Sequence, residues 1–330
     1  MTDLESIKFK ERTIMGDALN EVAWLIIDWG TTNFRAFAMA QDGREIDRIE
    51  KHIGLLSIQH GQFSQALEQV LSGWITDYRK LPIFMAGMVG SQQGWHDVPY
   101  VTTPAKIGDV ANNAFTFDLE WGAKASIYPG VKHKNAQSQF DVMRGEEVQL
   151  IGARALLATD DFHAVLPGTH SKYAHVTNGV IQSFSTYMTG EMYSVLSKHT
   201  ILGKDLSPAK AEFDSVAFLK GVEESSVESL TNQLFLARTH RLFKQLNSDD
   251  VLDYLSGLLI GHEVKSIIGL INCRKEPLNL IGSYQLSKKY EMALNSLGFI
   301  SQVLDGEECF IEGMKQLERE LEHEEMDILS

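Results

Sequence analysis

Asp28 stands at the end of the apolar run Leu25-Ile26-Ile27 and is followed by Trp29-Gly30-Thr31-Thr32-Asn33, the pattern in this chain that points most directly to chemistry. Apolar residues deliver one carboxylate into a tight turn of glycine and small polar side chains. The backbone N–H groups from Gly30 to Asn33, with the side chains of Thr31, Thr32 and Asn33, can hydrogen-bond phosphoryl oxygens, and Asp28 stands where a hydrated Mg²⁺ needs a carboxylate. Phe34 to Met39 resumes the apolar run, so the unit reads strand, turn, strand. The glycine fingerprint of dinucleotide-binding folds and the Walker loop both hand phosphate to a helix N-terminus, and neither spacing is present. An ordinary β-hairpin, in which Gly30 supplies the turn and Asp28 caps it, is the competing reading, and a second site is needed to separate the two.

The elements that would position these residues recur. In the second half an apolar strand, Ala164 to Leu166, enters the turn Pro167-Gly168-Thr169-His170-Ser171-Lys172 and returns as another strand. Repetition of a phosphate-type hairpin implies two similar domains facing one nucleotide. Between the hairpins the sequence predicts a third strand near Ile46 to Lys51, a helix over Gln62 to Tyr78 and a short strand from Pro82 to Met85 entering Gly87-Met88-Val89-Gly90-Ser91. A loop follows from Gln92 to Pro104, and a helix covers Gly145 to Leu157. Helices dominate from Ala211 to Leu270, and Leu278 to Ile281 is a strand leading through Gly282-Ser283 into another helix. Phe310 to Met326 reads as an amphipathic terminal helix with a solvated acidic face. The expected division is a flexible extension over 1–22, a first domain over 23–158, and a second domain over 159–330 that carries the terminal helix.

Composition narrows the class. The chain has 330 residues, 44% of them hydrophobic, enough for a core in each of two domains. Its longest apolar stretches fall short of the roughly 20 residues of a membrane span, and the first 21 residues lack a signal-peptide apolar segment. A formal charge of −14 without a basic block argues against nucleic acid, though not against small phosphate ligands. Cys273 and Cys309 form no metal or disulfide spacing. A cytoplasmic location is the expectation.

Two hairpin turns followed by a strand, Gly282-Ser283 and a helix resemble the phosphate 1, phosphate 2 and adenosine elements of the actin, Hsp70 and sugar kinase superfamily. The wording narrows the resemblance. Asp28 to Arg35, Met85 to Ser91 with Gly94-Trp95, Val142-Met143-Arg144-Gly145-Glu146-Glu147, Leu166 to Lys172, and Met188-Thr189-Gly190-Glu191 resemble the 2-dehydro-3-deoxygalactonokinase family in order, from about residue 23 to about 305. The resemblance implies an α/β protein of two RNase H-like (actin-like ATPase) domains with a nucleotide cleft between them. It also implies ATP and Mg²⁺ as cofactors and transfer of the γ-phosphoryl to the 6-hydroxyl of 2-dehydro-3-deoxy-D-galactonate, in D-galactonate breakdown. A kinase for another sugar acid, and a nonenzymatic ATP switch of the actin or Hsp70 kind, are the alternatives.

The same resemblance assigns roles. Asp28 is the metal residue, Gly30 to Asn33 and Gly168, Thr169, His170, Ser171 and Lys172 are phosphate donors, and Gly282 and Ser283 belong to the adenosine element. Related carbohydrate kinases hold a catalytic Asp in a Gly-Asp-Gln segment, and Gly145-Glu146-Glu147 resembles its counterpart, making Glu146 the candidate proton acceptor. Glu147 is its rival, and both could simply complement a helix dipole. Arg35 and, less favoured, Arg144 could grip the substrate carboxylate with two bonds, or either could serve an ion pair. Gly87, Gly90 and Ser91 suggest close backbone approach to the sugar acid, with Trp95, Pro99 and Tyr100 as a wall. A packing role for Trp95 and a solvent-facing Lys172 are the plain alternatives.

Overall fold

The computed structural model describes residues 21–59, 61–203, 206, 212–268 and 276–329, with side chains as far as Leu321 in the last helix. Most of the expected N-terminal extension, and Cys273, therefore lie outside the described residues.

The chain forms two compact units, one made of residues up to Leu157 together with those from Phe310 onward, the other of Ala158–Cys309. The first unit opens with the antiparallel strands β1 (Val22–Trp29), β2 (Phe34–Ala40) and β3 (Glu45–Lys51). β1 and β2 are buried along most of their length, as their continuous apolar runs require, whereas β3 lies at the sheet edge and is charged. β4 (Ile83–Ala86) and β7 (Lys124–Ile127) add in parallel and β6 (Phe115–Asp118) closes the order β3-β2-β1-β4-β7-β6. A second, small sheet comprises β5 (Val101–Thr102), β8 (Val131–Lys134) and β9 (Phe140–Met143). Helices α1 (Phe63–Ser72), α2 (Ile107–Ala111) and α3 (Glu146–Leu157) belong to this unit. α1 is shorter than the predicted span: Phe63, Leu67 and Leu71 are buried at helical spacing, then Gly73 ends it, and Ile75 from a loop and Tyr78 from a separate 3₁₀ turn pack into the same core.

The second unit repeats the plan. β10 (Phe162–Leu166), β11 (Ser171–Thr177) and β12 (Val180–Tyr187) form an antiparallel meander, and β13 (Leu278–Gly282) and β14 (Ser301–Asp305) add in parallel, giving the order β12-β11-β10-β13-β14. Its helices are α4 (Thr189–His199), α5 (Ser215–Glu224), α6 (Leu230–Leu234), α7 (Leu236–Leu242), α8 (Val251–Ile268) and α9 (Tyr284–Ser296). α8 is mostly apolar and buried along most of its length; a Cβ on its Gly257 would lie 1.9 Å from the Phe218 carbonyl oxygen, so the glycine lets α5 and α8 meet backbone to backbone.

The terminal helix α10 (Gly306–Leu329) begins on a cap from Asp305, whose Oδ1 accepts from the N–H groups of Glu307 and Glu308 at 2.8 and 3.0 Å. Phe310, Met314 and Leu317 are buried on one face, as their spacing predicts. The helix departs from the expected division, however, because from Phe310 onward it packs with the first unit. A Cβ on Gly313 would sit 2.0 Å from the Val148 carbonyl oxygen of α3. Among the described residues no helix is long and apolar enough to cross a membrane.

Candidate active site

In the first unit, parallel pairing sets Asp28 opposite Ala86, so β1 and β4 end side by side and Gly87 follows directly beside Asp28. Gly87 has φ +94°; a Cβ there would meet the Trp29 carbonyl oxygen at 3.0 Å and Asp28 Oδ1 at 3.2 Å, so both conformation and space select glycine. A Cβ on Gly145 would in turn lie 3.5 Å from Gly87 Cα. Three chain segments thus converge on one carboxylate at the carboxyl ends of parallel strands, the usual ligand edge of an α/β sheet.

The β1–β2 turn is braced from outside. Gly30 N–H donates to the Asn33 carbonyl at 2.9 Å, while Leu55, Leu56 and Gly54 donate to the carbonyls of Gly30, Thr31 and Thr32 at 3.0, 3.1 and 2.9 Å. With those carbonyls bound to residues 54–56, Thr31, Thr32 and Asn33 remain exposed. Asn33 Oδ1 lies 3.0 Å from His52 Nδ1. Asp28 Oδ2 accepts from Arg35 Nε at 3.2 Å and from its Nη2, so Arg35 is an ion-pair partner within the hairpin.

Both carboxylates at the start of α3 fold back onto the preceding backbone. Arg144 N–H donates to Glu146 Oε2 at 2.9 Å, and Gly145 N–H, at φ +105°, donates to both oxygens of Glu147 at 2.8 Å. Glu147 is wholly buried, and burial, with the neighbouring charge of Glu146, pushes its pKa up to about 8. Glu146 is only half-buried. Arg144 Nη2 donates to the Val98 carbonyl at 2.8 Å and its guanidinium lies 4.3 Å from the Tyr100 ring centroid. Its Nε and Nη1 are buried without a hydrogen-bond partner.

In the second unit, β10 pairs in parallel with β13, which sets the Pro167–His170 turn beside Gly282; a Cβ on Gly282 would lie 3.4 Å from the Pro167 carbonyl oxygen. The N-terminus of α4 abuts the same turn: Glu191 N–H donates to the Thr169 carbonyl at 3.0 Å. A cleft of about 390 Å³, its open mouth included, lies alongside. Gly168, Thr189, Gly190, Tyr193, Leu259 and Leu286 are among the residues that line it.

The chain matches the family described as 2-keto-3-deoxy-galactonokinase over residues 28–317, a span that contains every candidate site residue discussed above. It belongs to that family. As a 2-keto-3-deoxy-galactonokinase family member it is a phosphotransferase with an alcohol acceptor, and kinase membership implies use of ATP. It is 32% identical over 297 residues to the 2-dehydro-3-deoxygalactonokinase of Escherichia coli K12, across 89% of this chain and 97% of that protein. A Rhizobium meliloti relative is 32% identical across 89% and 95%. The solved structure of a Sinorhizobium meliloti protein described as a 2-dehydro-3-deoxygalactonokinase superposes with TM-score 0.83 at 31% identity, across 90% of this chain and 98% of that one. Component A of Acidaminococcus fermentans (R)-2-hydroxyglutaryl-CoA dehydratase, at TM-score 0.50 and 11% identity, shares the fold alone. The fold is the two-domain α/β fold of actin-like sugar kinases, in keeping with the repeated sheet order.

Of the residues expected at the site, Asp28, Arg35, Gly87, Gly90, Tyr100, Arg144 and Glu146 are drawn together by the contacts above, and a Cβ on Gly90 would press on Arg144 Nη1 at 2.8 Å. Ser91 is buried with an unpartnered hydroxyl. Trp95 packs against the core, in ring contact with Trp29, Phe63 and Phe117. In the second unit Gly168 lines the cleft, Thr169 and His170 are exposed, and His170 Nε2 lies 2.5 Å from Glu191 Oε2. Ser171 and Lys172, expected on the loop, are the first residues of β11 and are buried; Ser171 Oγ lies 2.8 Å from the Tyr290 hydroxyl. Ser283 is exposed at the start of α9. Sequence reasoning missed the brace at residues 54–56, the cleft role of Gly190 and the buried Glu263. An acid following the apolar run Leu258-Leu259-Ile260 of α8 was the available signal for the last of these.

Proposed function

We propose that this chain transfers the γ-phosphoryl group of ATP to the 6-hydroxyl of 2-dehydro-3-deoxy-D-galactonate, in the cytoplasm, as a step of D-galactonate breakdown. The observation that carries the reading is the convergence of Asp28, Gly87 and the Gly145-Glu146 turn at one sheet edge within a chain of this family. Magnesium fits the residues present. Mg²⁺ keeps several waters and takes one or two carboxylates beside substrate phosphates, and Asp28 supplies one carboxylate, while no group of three or more His, Cys, Asp or Glu able to hold a metal occurs among the described residues. Asp28 would hold the hydrated ion, whose chemistry is to neutralise phosphate charge.

The chain's own residues do the rest. Thr31, Thr32 and Asn33 donate to phosphoryl oxygens from a turn whose carbonyls are tied away from the ligand. Gly168 and Thr169 donate from the second unit, and its cleft takes the adenosine, with the base against Leu259 and Leu286. Glu146 accepts the hydroxyl proton; a loose transition state releases that proton late, so a carboxylate suffices as the acceptor. Arg35 is committed to Asp28, whereas Arg144 keeps two donor nitrogens unpaired, which supports Arg144 as the cation for the sugar-acid carboxylate.

The test is ADP release with Mg·ATP and 2-dehydro-3-deoxy-D-galactonate, its gluconate epimer, or no acceptor. Stimulation by the galactonate acid alone is expected. Equal stimulation by the epimer would refute the substrate, and acceptor-independent hydrolysis alone would refute transfer.

A further inference from the structure

Glu263 lies in α8 with 1% of its surface exposed. Its Oε2 accepts a 2.9 Å hydrogen bond from the hydroxyl of Tyr290 in α9, and that hydroxyl also lies 2.8 Å from Ser171 Oγ at the start of β11. Thr189, the first residue of α4, and Tyr173 of β11 stand beside the carboxyl and favour its charged form, while burial outweighs them and pushes its pKa up to about 7. Glu263 Oε1, the Tyr173 hydroxyl and Ser287 Oγ, all buried, complete no hydrogen bond. A buried carboxyl is costly unless held by such partners, so the cluster calls for a reason beyond packing.

Its partners supply that reason. Thr189 and Tyr290 line the cleft, Gly190 and Leu286 are their close neighbours in it, and Ser171 directly follows the Gly168–His170 turn. We propose that Glu263 is a positioning residue for the nucleotide: from behind the cleft it ties β11, the N-terminus of α4 and α9 to α8, and so sets the cleft's width and the place of the phosphate turn. The proposal rests on the reading of this cleft as the nucleotide site.

The test uses the full chain and calorimetric titration with ADP and, separately, with the sugar acid. Leu286→Trp fills the cleft and is expected to abolish ADP binding. Glu263→Ala is expected to weaken ADP by about tenfold or more, the change that follows when a buried hydrogen bond fixing a wall is lost, with sugar-acid affinity unchanged. Glu263→Gln keeps an acceptor for Tyr290 and is expected to restore ADP affinity. Tyr290→Phe cuts the same link with the carboxyl in place and is expected to weaken ADP, which keeps the test open if the alanine variant does not fold. Unchanged ADP affinity in folded Glu263→Ala or Tyr290→Phe overturns the positioning role, as does an equal loss for both ligands. Unchanged ADP affinity in Leu286→Trp overturns the cleft assignment and the proposal with it.

Discussion

Gly190→Ala sets two physical arguments against each other. Gly190 is the second residue of α4, and on helix propensity alone alanine is favoured there by up to about 1 kcal/mol. The space says otherwise: the new Cβ would lie 2.4 Å from the Gly168 carbonyl oxygen and 2.8 Å from Thr169 Cα, where ordinary contact begins at 3.4 Å. Both neighbours are backbone, so no rotamer change relieves the clash, and the Pro167–His170 turn or the helix must yield by about 1 Å. Overpacking of this kind costs about 1–3 kcal/mol, enough to cancel or reverse the propensity gain. A misplacement of about 1 Å at a reacting group costs on the order of 10²-fold in rate. Urea unfolding and steady-state kinetics with varied ATP should therefore show a folded protein of unchanged or lower stability, with kcat/KM for ATP down by about 10- to 100-fold. A stabilised variant with kcat/KM within about twofold of the parent would show that the turn does not place the phosphates.

Asp28→Ala is expected to leave a folded protein whose Mg²⁺-dependent turnover is down by at least about a hundredfold; near-normal turnover would remove Asp28 from the metal role. Glu146→Gln keeps size and hydrogen bonding but removes the charge, and turnover should fall by about 10²-fold or more, with a loss under about tenfold arguing against the base. Glu147 titrates near 8 when folded, against 4.5 as its ordinary value, so between these limits the folded state binds more protons than the unfolded one. Its contribution to stability is full below pH of about 4.5, falls as pH rises through about 8, and is flat above. The Glu147→Gln variant lacks this slope, so its stability relative to the parent should rise by on the order of a few kcal/mol between pH 5 and pH 9 in urea unfolding. Parallel pH profiles would refute that.

Much of the fold was legible in the sequence because it depends on local pattern. The apolar runs before Asp28 and Pro167 had to be buried strands, the turns between them had to be hairpins, and two such hairpins with late parallel strands left few arrangements of each sheet. The wording around Asp28, Gly87, Glu146 and Gly168 marked which loops resemble those of the family. Sequence spacing could not show partners, because pairing is set by what the fold brings alongside. The structure ties Arg35 to Asp28, leaves Arg144 with two buried, unpartnered nitrogens, turns Ser171 and Lys172 inward and moves the terminal helix onto α3. Gly190 and Glu263 show the limit most plainly. Nothing in a helix sequence records that a neighbouring carbonyl stands 2.4 Å from a missing Cβ, or that tyrosine and serine from distant strands and helices close around one carboxyl. The sequence alone determined the elements and the type of chemistry; tertiary packing decided which side chains are left free to perform it, since exposure, pairing and pKa belong to three-dimensional neighbours.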